Sequence, residues 1–300
     1  MQRTQPLYHA DPTILTVIEE LTATLRLAGI TDPRRVATDI VAALLEVPRS
    51  WPVMNREASI DRELATTAQD AARKLAGGAP FAYAVGCASF RKLNLGVDER
   101  VLIPRPETEV LVGEVLERME AMQPGPGTWG TAIDIGTGSG AIALSLASEG
   151  RFDRVIATDV SLDAIEVARA NVSRAAGVLR AAVELRHGSL LAPVRGVKAA
   201  VVVSNPPYIA FSELDALPAS VRDWEPPIAL ASGHDGMSAT TVIVRDAARI
   251  LVRGGILALE VDERRASLVA ETMMRHGSYK GIGVRLDLTG RERFVFASRI

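Results

Sequence analysis

The chain has 300 residues, 48% of them hydrophobic and 23% charged, which is enough apolar material for one large domain or two smaller ones and excludes a disordered or collagen-like chain. Lys and Arg total 34 against 36 Asp and Glu, a net charge of −2, so a phosphate-backbone binder is disfavoured and no direct nucleic-acid partner is expected. The lone cysteine, Cys87, excludes an internal disulfide and a four-cysteine zinc site; as a small buried hydrophobe it needs no chemistry.

The first residues, 1–13, lack the apolar centre of a signal peptide, and no apolar run approaches the ~18 residues needed to span a bilayer. A cytoplasmic protein with no membrane partner is expected. Asp11-Pro12 reads as a helix N-cap followed by proline, and Ile14, Leu15, Ile18, Leu21 and Leu25 recur at helical spacing up to Gly29. Asp32-Pro33 opens a second helix with Val36, Ile40, Ala43 and Leu44 on one face. A third runs from Ile60 to Leu75 and stops at Gly77-Gly78. Residues 1–78 are therefore expected to form a helical domain that recognises a substrate. Residues 79–106 are expected to be a linker of short β-like runs, such as Phe90–Val97, folded as a hairpin.

A helix from about Glu107 to Met122 follows, and the Pro/Gly-rich stretch 123–128 breaks all regular structure. Beyond it, apolar runs at Ala132–Ile135, Val155–Ala157, Val183–Leu185, Ala199–Val203 and Ile256–Val261 alternate with helical segments. These include Ala141–Ser148, Leu162–Ala176 and Ala239–Leu251. The alternation predicts an α/β fold for residues 107–300, a doubly wound and mostly parallel sheet covered on both faces. The late pair Gly283–Leu288 and Arg293–Ala297 is expected to add antiparallel edge strands.

Three motifs carry chemistry. The first is the loop Gly136, Thr137, Gly138, Ser139, Gly140, between an apolar strand and a helix; its glycines permit a sharp turn and should aim free N–H groups at a ligand. With Ala141 it also satisfies the dinucleotide fingerprint, so this signal leaves the ligand open. The second is Asp159, which closes the run from Val155; a carboxylate there can accept from both hydroxyls of a nucleoside ribose, or it can cap the next helix. The third is Asn205-Pro206-Pro207-Tyr208, directly after the strand Ala199–Val203. The Asn205 oxygen and the Pro206 carbonyl can accept the two N–H bonds of a planar NH₂ group, the two prolines stiffen the loop, and Tyr208 can stack on that group. Hydride transfer has no use for such a site. Histidines 9, 187, 234 and 276 are scattered without paired ligand spacing, so no metal is expected.

Together these motifs resemble the class I S-adenosylmethionine-dependent methyltransferases that act on amino or amide nitrogen. Residues 103–109, 80–86 and 221–226, with Ala229, Leu230, Asp235 and Gly236, sharpen the resemblance to the release factor glutamine methyltransferases. That resemblance implies S-adenosyl-L-methionine as cofactor, contacting Gly136, Thr137, Gly138, Ser139, Gly140, Asp159, Leu190 and Asn205. It implies methylation of the glutamine side-chain amide in the Gly-Gly-Gln loop of peptide-chain release factors, held by Asn205, Pro206, Pro207 and Tyr208. A ribosomal-protein glutamine or a nucleic-acid adenine remains an alternative acceptor. Asp134 and Glu107 are candidates near the methionine end of the donor; each could equally be a cap or a brace, as could Arg105. Leu190 stands where the family often places an aromatic residue, Arg91 replaces a linker aromatic, and the strand end at Glu260 to Asp262 lacks the usual glycine.

Overall fold

The computed structural model describes residues 11–300; His9 and the first ten residues of the N-terminal stretch lie outside it. By internal contacts the chain divides into two compact units between Cys87 and Ala88.

The first unit is helical. α1 (Ile14–Leu27) buries Ile14, Val17, Ile18, Leu21 and Leu25, the stripe that its spacing predicts. Its cap differs from expectation. The Thr13 side chain accepts from Thr16 N, and Pro12 lies outside the helix with its carbonyl taken by Ile60 N. α2 (Pro33–Leu44) begins at proline with Asp32 as N-cap, as read from the sequence. A short α3 (Trp51–Met54) precedes α4 (Arg62–Ala76), whose buried face is entirely alanine: Ala65, Ala68, Ala71 and Ala72. These small side chains let α4 sit close to α1 and α2 in one apolar core. The expected β-like start of the linker is instead α5 (Phe81–Val85), closed by Gly86 in the left-handed conformation. Ala84 and Val85 join the core of this unit, so burial overrides the local strand preference of Phe81, Tyr83 and Val85.

The second unit opens with a hairpin. The expected hairpin is formed by β1 (Cys87–Phe90) and β2 (Leu93–Gly96), separated by a turn at Arg91, whose φ is +51°. α6 (Pro106–Met122) and β3 (Thr131–Ile135) follow, then α7 (Ala141–Glu149), β4 (Arg154–Asp159), α8 (Leu162–Ala175), β5 (Ala182–His187) and β6 (Ala199–Ser204). Short helices α9 (Ala219–Arg222) and α10 (Pro227–Leu230) fill the stretch after β6. The unit ends with α11 (Ser238–Ile250), β7 (Leu251–Glu260), α12 (Ala266–His276), β8 (Tyr279–Leu286) and β9 (Glu292–Arg299). α9, α10 and α12 have no counterpart among the helices expected above, and β7 starts five residues earlier than the apolar run suggests.

The sheet has the order β5-β4-β3-β6-β7-β9-β8. Strands β5, β4, β3, β6 and β7 are mutually parallel, and β9 pairs antiparallel with β7 and β8. Both faces are covered. Val201, Val203, Val155 and Ala157 pack towards α6 and α7, while Ile133, Ile135, Val202 and Leu257 pack towards α11 and α12. Two-sided burial is why the β6 run is continuously apolar rather than alternating. The chain winds outward from β3 through β4 to β5, then returns to lay β6 on the other side of β3. That reversal opens a crevice at the carboxyl ends of β3 and β6, where the ligand of such a sheet binds.

Candidate active site

The three sequence motifs meet at this crevice. Gly136 and Gly138 have φ of +73° and +54°, and a Cβ added at either would meet no protein atom within 4 Å. Glycine is needed there for backbone conformation, and the space beside it stays open. One expectation is corrected. The loop does not offer a row of free amides: Gly136 N and Thr137 N donate to Thr158 O, Gly138 N donates to Asp159 Oδ2, and Gly140 N donates to Thr137 O. A pyrophosphate needs such donors. With four already committed, the loop itself is poorly furnished for a phosphate, whereas a ligand without phosphate loses nothing.

Asp159 stands at the end of β4 with both oxygens fixed, Oδ2 by Gly138 N and Oδ1 by Ser161 N, each at 2.9 Å. It does not cap α8. Ser161 does, accepting from Ala164 N. Asn171, fully buried on α8, ties the hairpin to the glycine loop by bonding Gly96 N, Gly96 O and Ser139 O.

Asp159, Gly136, Gly138, Leu190, Asn205 and Pro207 line one cleft of about 140 Å³, with Val160, Leu102 and Ile228 as apolar walls. Leu190 is held in the left-handed region at φ +47°, its carbonyl accepting from Thr158 Oγ1. A second cleft of about 50 Å³ runs along Thr137 and Ser139 to Arg105 and Thr108. The two clefts share Leu102, Gly136, Gly138 and Asn205. Gly140, Pro206 and Tyr208 line neither; Gly140 starts α7, Pro206 is buried, and Tyr208 is half-buried. Burial pushes the Tyr208 phenol up to about 12, so it stays neutral.

Asp134 and Glu107 also line neither cleft. Asp134 is fully buried behind the loop and braces it, accepting from Thr137 Oγ1 at 2.7 Å and Ala143 N at 3.2 Å through one oxygen. Its other oxygen has no protein partner, and burial pushes the carboxyl up to about 7. Arg105 is a brace as well, paired with Glu225 at 2.5 Å. The departures at Arg91 and Asp262 have structural partners. Arg91 forms a bidentate pair with Glu149, and Asp262 binds Arg264 and Arg265. Arg265 in turn holds Glu213 and the Asp235 carbonyl, anchoring the segment that follows Tyr208. A Cβ at Gly236 would collide with the Tyr208 carbonyl and the Arg265 guanidinium, so this turn closes on the loop at backbone contact.

Sequence reading missed two residues next to Asn205. The Asn205 Nδ2 donates to Thr108 Oγ1 at 3.2 Å, and Thr108 Oγ1 donates to Glu260 Oε2 at 2.7 Å. Glu260 is 1% exposed, and burial pushes its carboxyl up to about 7. A carboxylate closing an apolar strand was the signal used for Asp159; Glu260 closes β7 in the same way. These residues fit S-adenosylmethionine. The larger cleft offers a carboxylate to a ribose and apolar walls to a base, and asks for no phosphate.

Comparison with known proteins agrees. Residues 16–86 match the model of the PrmC N-terminal domain, and residues 112–217 match the methyltransferase small domain. The release factor glutamine methyltransferase of Moorella thermoacetica is 37% identical over 287 residues, covering 96% of this chain and 99% of that protein. The release factor glutamine methyltransferase of Mycolicibacterium smegmatis is 39% identical over 290 residues, covering 95% and 97%. Among solved structures, the hMettl16 catalytic domain, crystallised with an RNA hairpin, superposes with a TM-score of 0.52 at 16% identity. The match covers 82% of this chain and 85% of that one, and it is a likeness of fold alone. Among the described residues no helix is long and apolar enough to cross a membrane, and no group of three potential metal ligands gathers.

Proposed function

The chain belongs to the release factor glutamine methyltransferases, and we propose that Asn205 and Pro206 hold the reacting amide while Gly136, Thr137, Gly138, Ser139, Asp159 and Leu190 hold the methyl donor, with Gly140 shaping the turn of their loop into α7. It is an S-adenosylmethionine-dependent protein-glutamine methyltransferase. When bound, S-adenosylmethionine supplies a methyl group already activated on a sulfonium. The chain's own residues must align the acceptor nitrogen and let its proton leave.

An amide nitrogen is a poor nucleophile because its lone pair is delocalised into the carbonyl. Asn205 Oδ1 and the Pro206 carbonyl, both acceptors, take the two N–H bonds and favour a nitrogen whose lone pair faces the donor. Positioning of this kind supplies up to ~7–11 kcal/mol in favourable intramolecular models. No strong base is needed, since the proton becomes acidic only as the nitrogen gains positive charge. Pro207 stiffens the loop, and the neutral Tyr208 ring packs against the planar amide. The observation that carries this reading is that Asn205 lines both clefts, where a nucleoside-side and a methionine-side cavity join.

The acceptor is the Gly-Gly-Gln glutamine of a peptide-chain release factor, a cytoplasmic partner, in preference to a ribosomal protein or a nucleic acid. The relatives' names and the balanced charge support this choice. The helical region of residues 1–78 recognises the body of that substrate and does no chemistry. A loop alone offers little area, and standard interfaces bury ~800 Å² per partner. The test is incubation with labelled S-adenosylmethionine and, separately, a release factor, its glutamine-to-glutamate variant, a ribosomal protein and DNA. Label is expected on the side-chain nitrogen of the glutamine and absent from the glutamate variant, which has no N–H to donate. Methyl found elsewhere by mass spectrometry refutes the reading.

A further inference from the structure

We infer that Thr108 is a positioning residue for the methyl transfer: its hydroxyl, committed as a donor to Glu260, dictates which end of the Asn205 carboxamide faces the substrate. The inference rests on the proposal that Asn205 Oδ1 accepts from the glutamine amide. A carboxamide is nearly symmetric in shape, and a half-turn of its terminal torsion exchanges oxygen for NH₂. Only one of the two orientations can accept. The other sets the Asn205 NH₂ against the NH₂ of the glutamine, donor against donor.

The choice is made by proton counting. A threonine hydroxyl has one hydrogen, and an ionised carboxylate can only accept. Thr108 Oγ1 lies 2.7 Å from Glu260 Oε2, so its hydrogen goes there and only lone pairs remain for Asn205. Asn205 Nδ2, 3.2 Å away, is therefore the atom that turns to Thr108, and Oδ1 turns from it. Thr108 is 5% exposed and Glu260 1%, so water does not replace either partner. The three residues come from the first turn of α6 and the ends of β6 and β7, and the chain of bonds exists only once the sheet has assembled.

The arrangement has a pH signature. Glu260 is faced by Arg105 and Glu107 at the start of α6, by Tyr208 after β6 and by Arg293 on β9; the arginines favour its charge and Glu107 opposes it. Burial outweighs the arginines, and the carboxyl sits at about 7. Once protonated, Glu260 can donate to Thr108, whose hydrogen is then free to point at Asn205 and draw Oδ1 round. Turnover should fall as pH drops through this value.

The test compares full-length wild type, Thr108→Val and Thr108→Ser with intact release factor between pH 6 and 9. Thr108→Val keeps the shape and removes the hydroxyl. Its kcat should drop about tenfold or more, with KM for the release factor within about twofold of wild type. Its acid limb near neutrality should disappear. Thr108→Ser should restore both kcat and the limb. A Thr108→Val enzyme with wild-type kcat, or one that keeps the acid limb, overturns the inference. Should Thr108→Val fail to fold, an acid limb missing from the wild type or from Thr108→Ser overturns it equally. Asn205→Ala, run alongside, separates two failures. If it abolishes turnover while Thr108→Val does not, the orienting role alone is wrong; if it turns over normally, the reading of Asn205 falls first.

Discussion

Replacing Asp159 with alanine removes the acceptor proposed for the ribose, and the structure sets the size of the loss. Each carboxylate oxygen already accepts one backbone N–H, from Gly138 or Ser161. An ionised carboxylate has roughly four lone-pair sites, so each oxygen keeps one for a ribose hydroxyl. Hydrogen bonds to charged groups contribute ~1.5–3 kcal/mol each, so losing two costs about 3 kcal/mol at the low end, roughly a hundredfold in Kd. Asp159→Asn is no gentler alternative, because its NH₂ would confront the N–H of Gly138 or of Ser161. Both variants should weaken S-adenosylmethionine binding in isothermal titration calorimetry, while circular dichroism shows a folded protein. S-adenosylhomocysteine should lose affinity in parallel, since the ribose is common to both. An Asp159→Ala protein that binds within about threefold of wild type would remove Asp159 from the cofactor site.

Asn205→Ala should lower kcat by roughly 10²-fold or more with the fold intact, by analogy with loss of a preorganised hydrogen bond in other active sites; near-normal single-turnover rates would count against it. Asp134 should make stability pH-dependent. Its folded-state pKa, about 7, is raised above the ordinary carboxylate value. The folded chain therefore holds a proton that the unfolded chain releases, and its contribution, full below pH ~4, is lost as pH rises towards 7, by at most ~1.4 kcal/mol per pH unit. In urea melts Asp134→Asn should lack that loss, so the variant gains on wild type between pH 5 and pH 8; a constant difference would refute the assignment. Removing residues 1–87, which reach the observed unit boundary at Cys87, should raise KM for intact release factor and leave cofactor binding and turnover of a short glutamine peptide largely unchanged. Unaltered KM for the intact substrate would show that the helical unit does not recognise it.

The order of layers was legible because burial leaves a local imprint. A strand covered on both faces must be continuously apolar, as Ala199–Val203 is, and a helix with one buried face repeats its apolar residues every three to four positions, as α1 does. The glycine loop, Asp159 and Asn205-Pro206-Pro207-Tyr208 were legible for a related reason: a backbone that turns sharply at the end of a strand needs residue types that nothing else replaces. α12 carries the same kind of imprint, with Ala266, Val269 and Met273 buried along one side, but the charged stretch Asp262 to Arg265 masks its start. α5 was not legible, since its residues favour a strand locally and turn helical because Ala84 and Val85 fill the core of the first unit. Only the tertiary structure decided where hydrogen bonds go. It committed the loop amides to Thr158 and Asp159, gave the α8 cap to Ser161 instead of Asp159, and joined Asn205 to Thr108 across 97 residues of sequence and Thr108 to Glu260 across 152. A side chain's type and its local pattern are written in the chain one residue at a time. The identity of its hydrogen-bond partner depends on which strand ends the sheet brings together, and no window of sequence contains that.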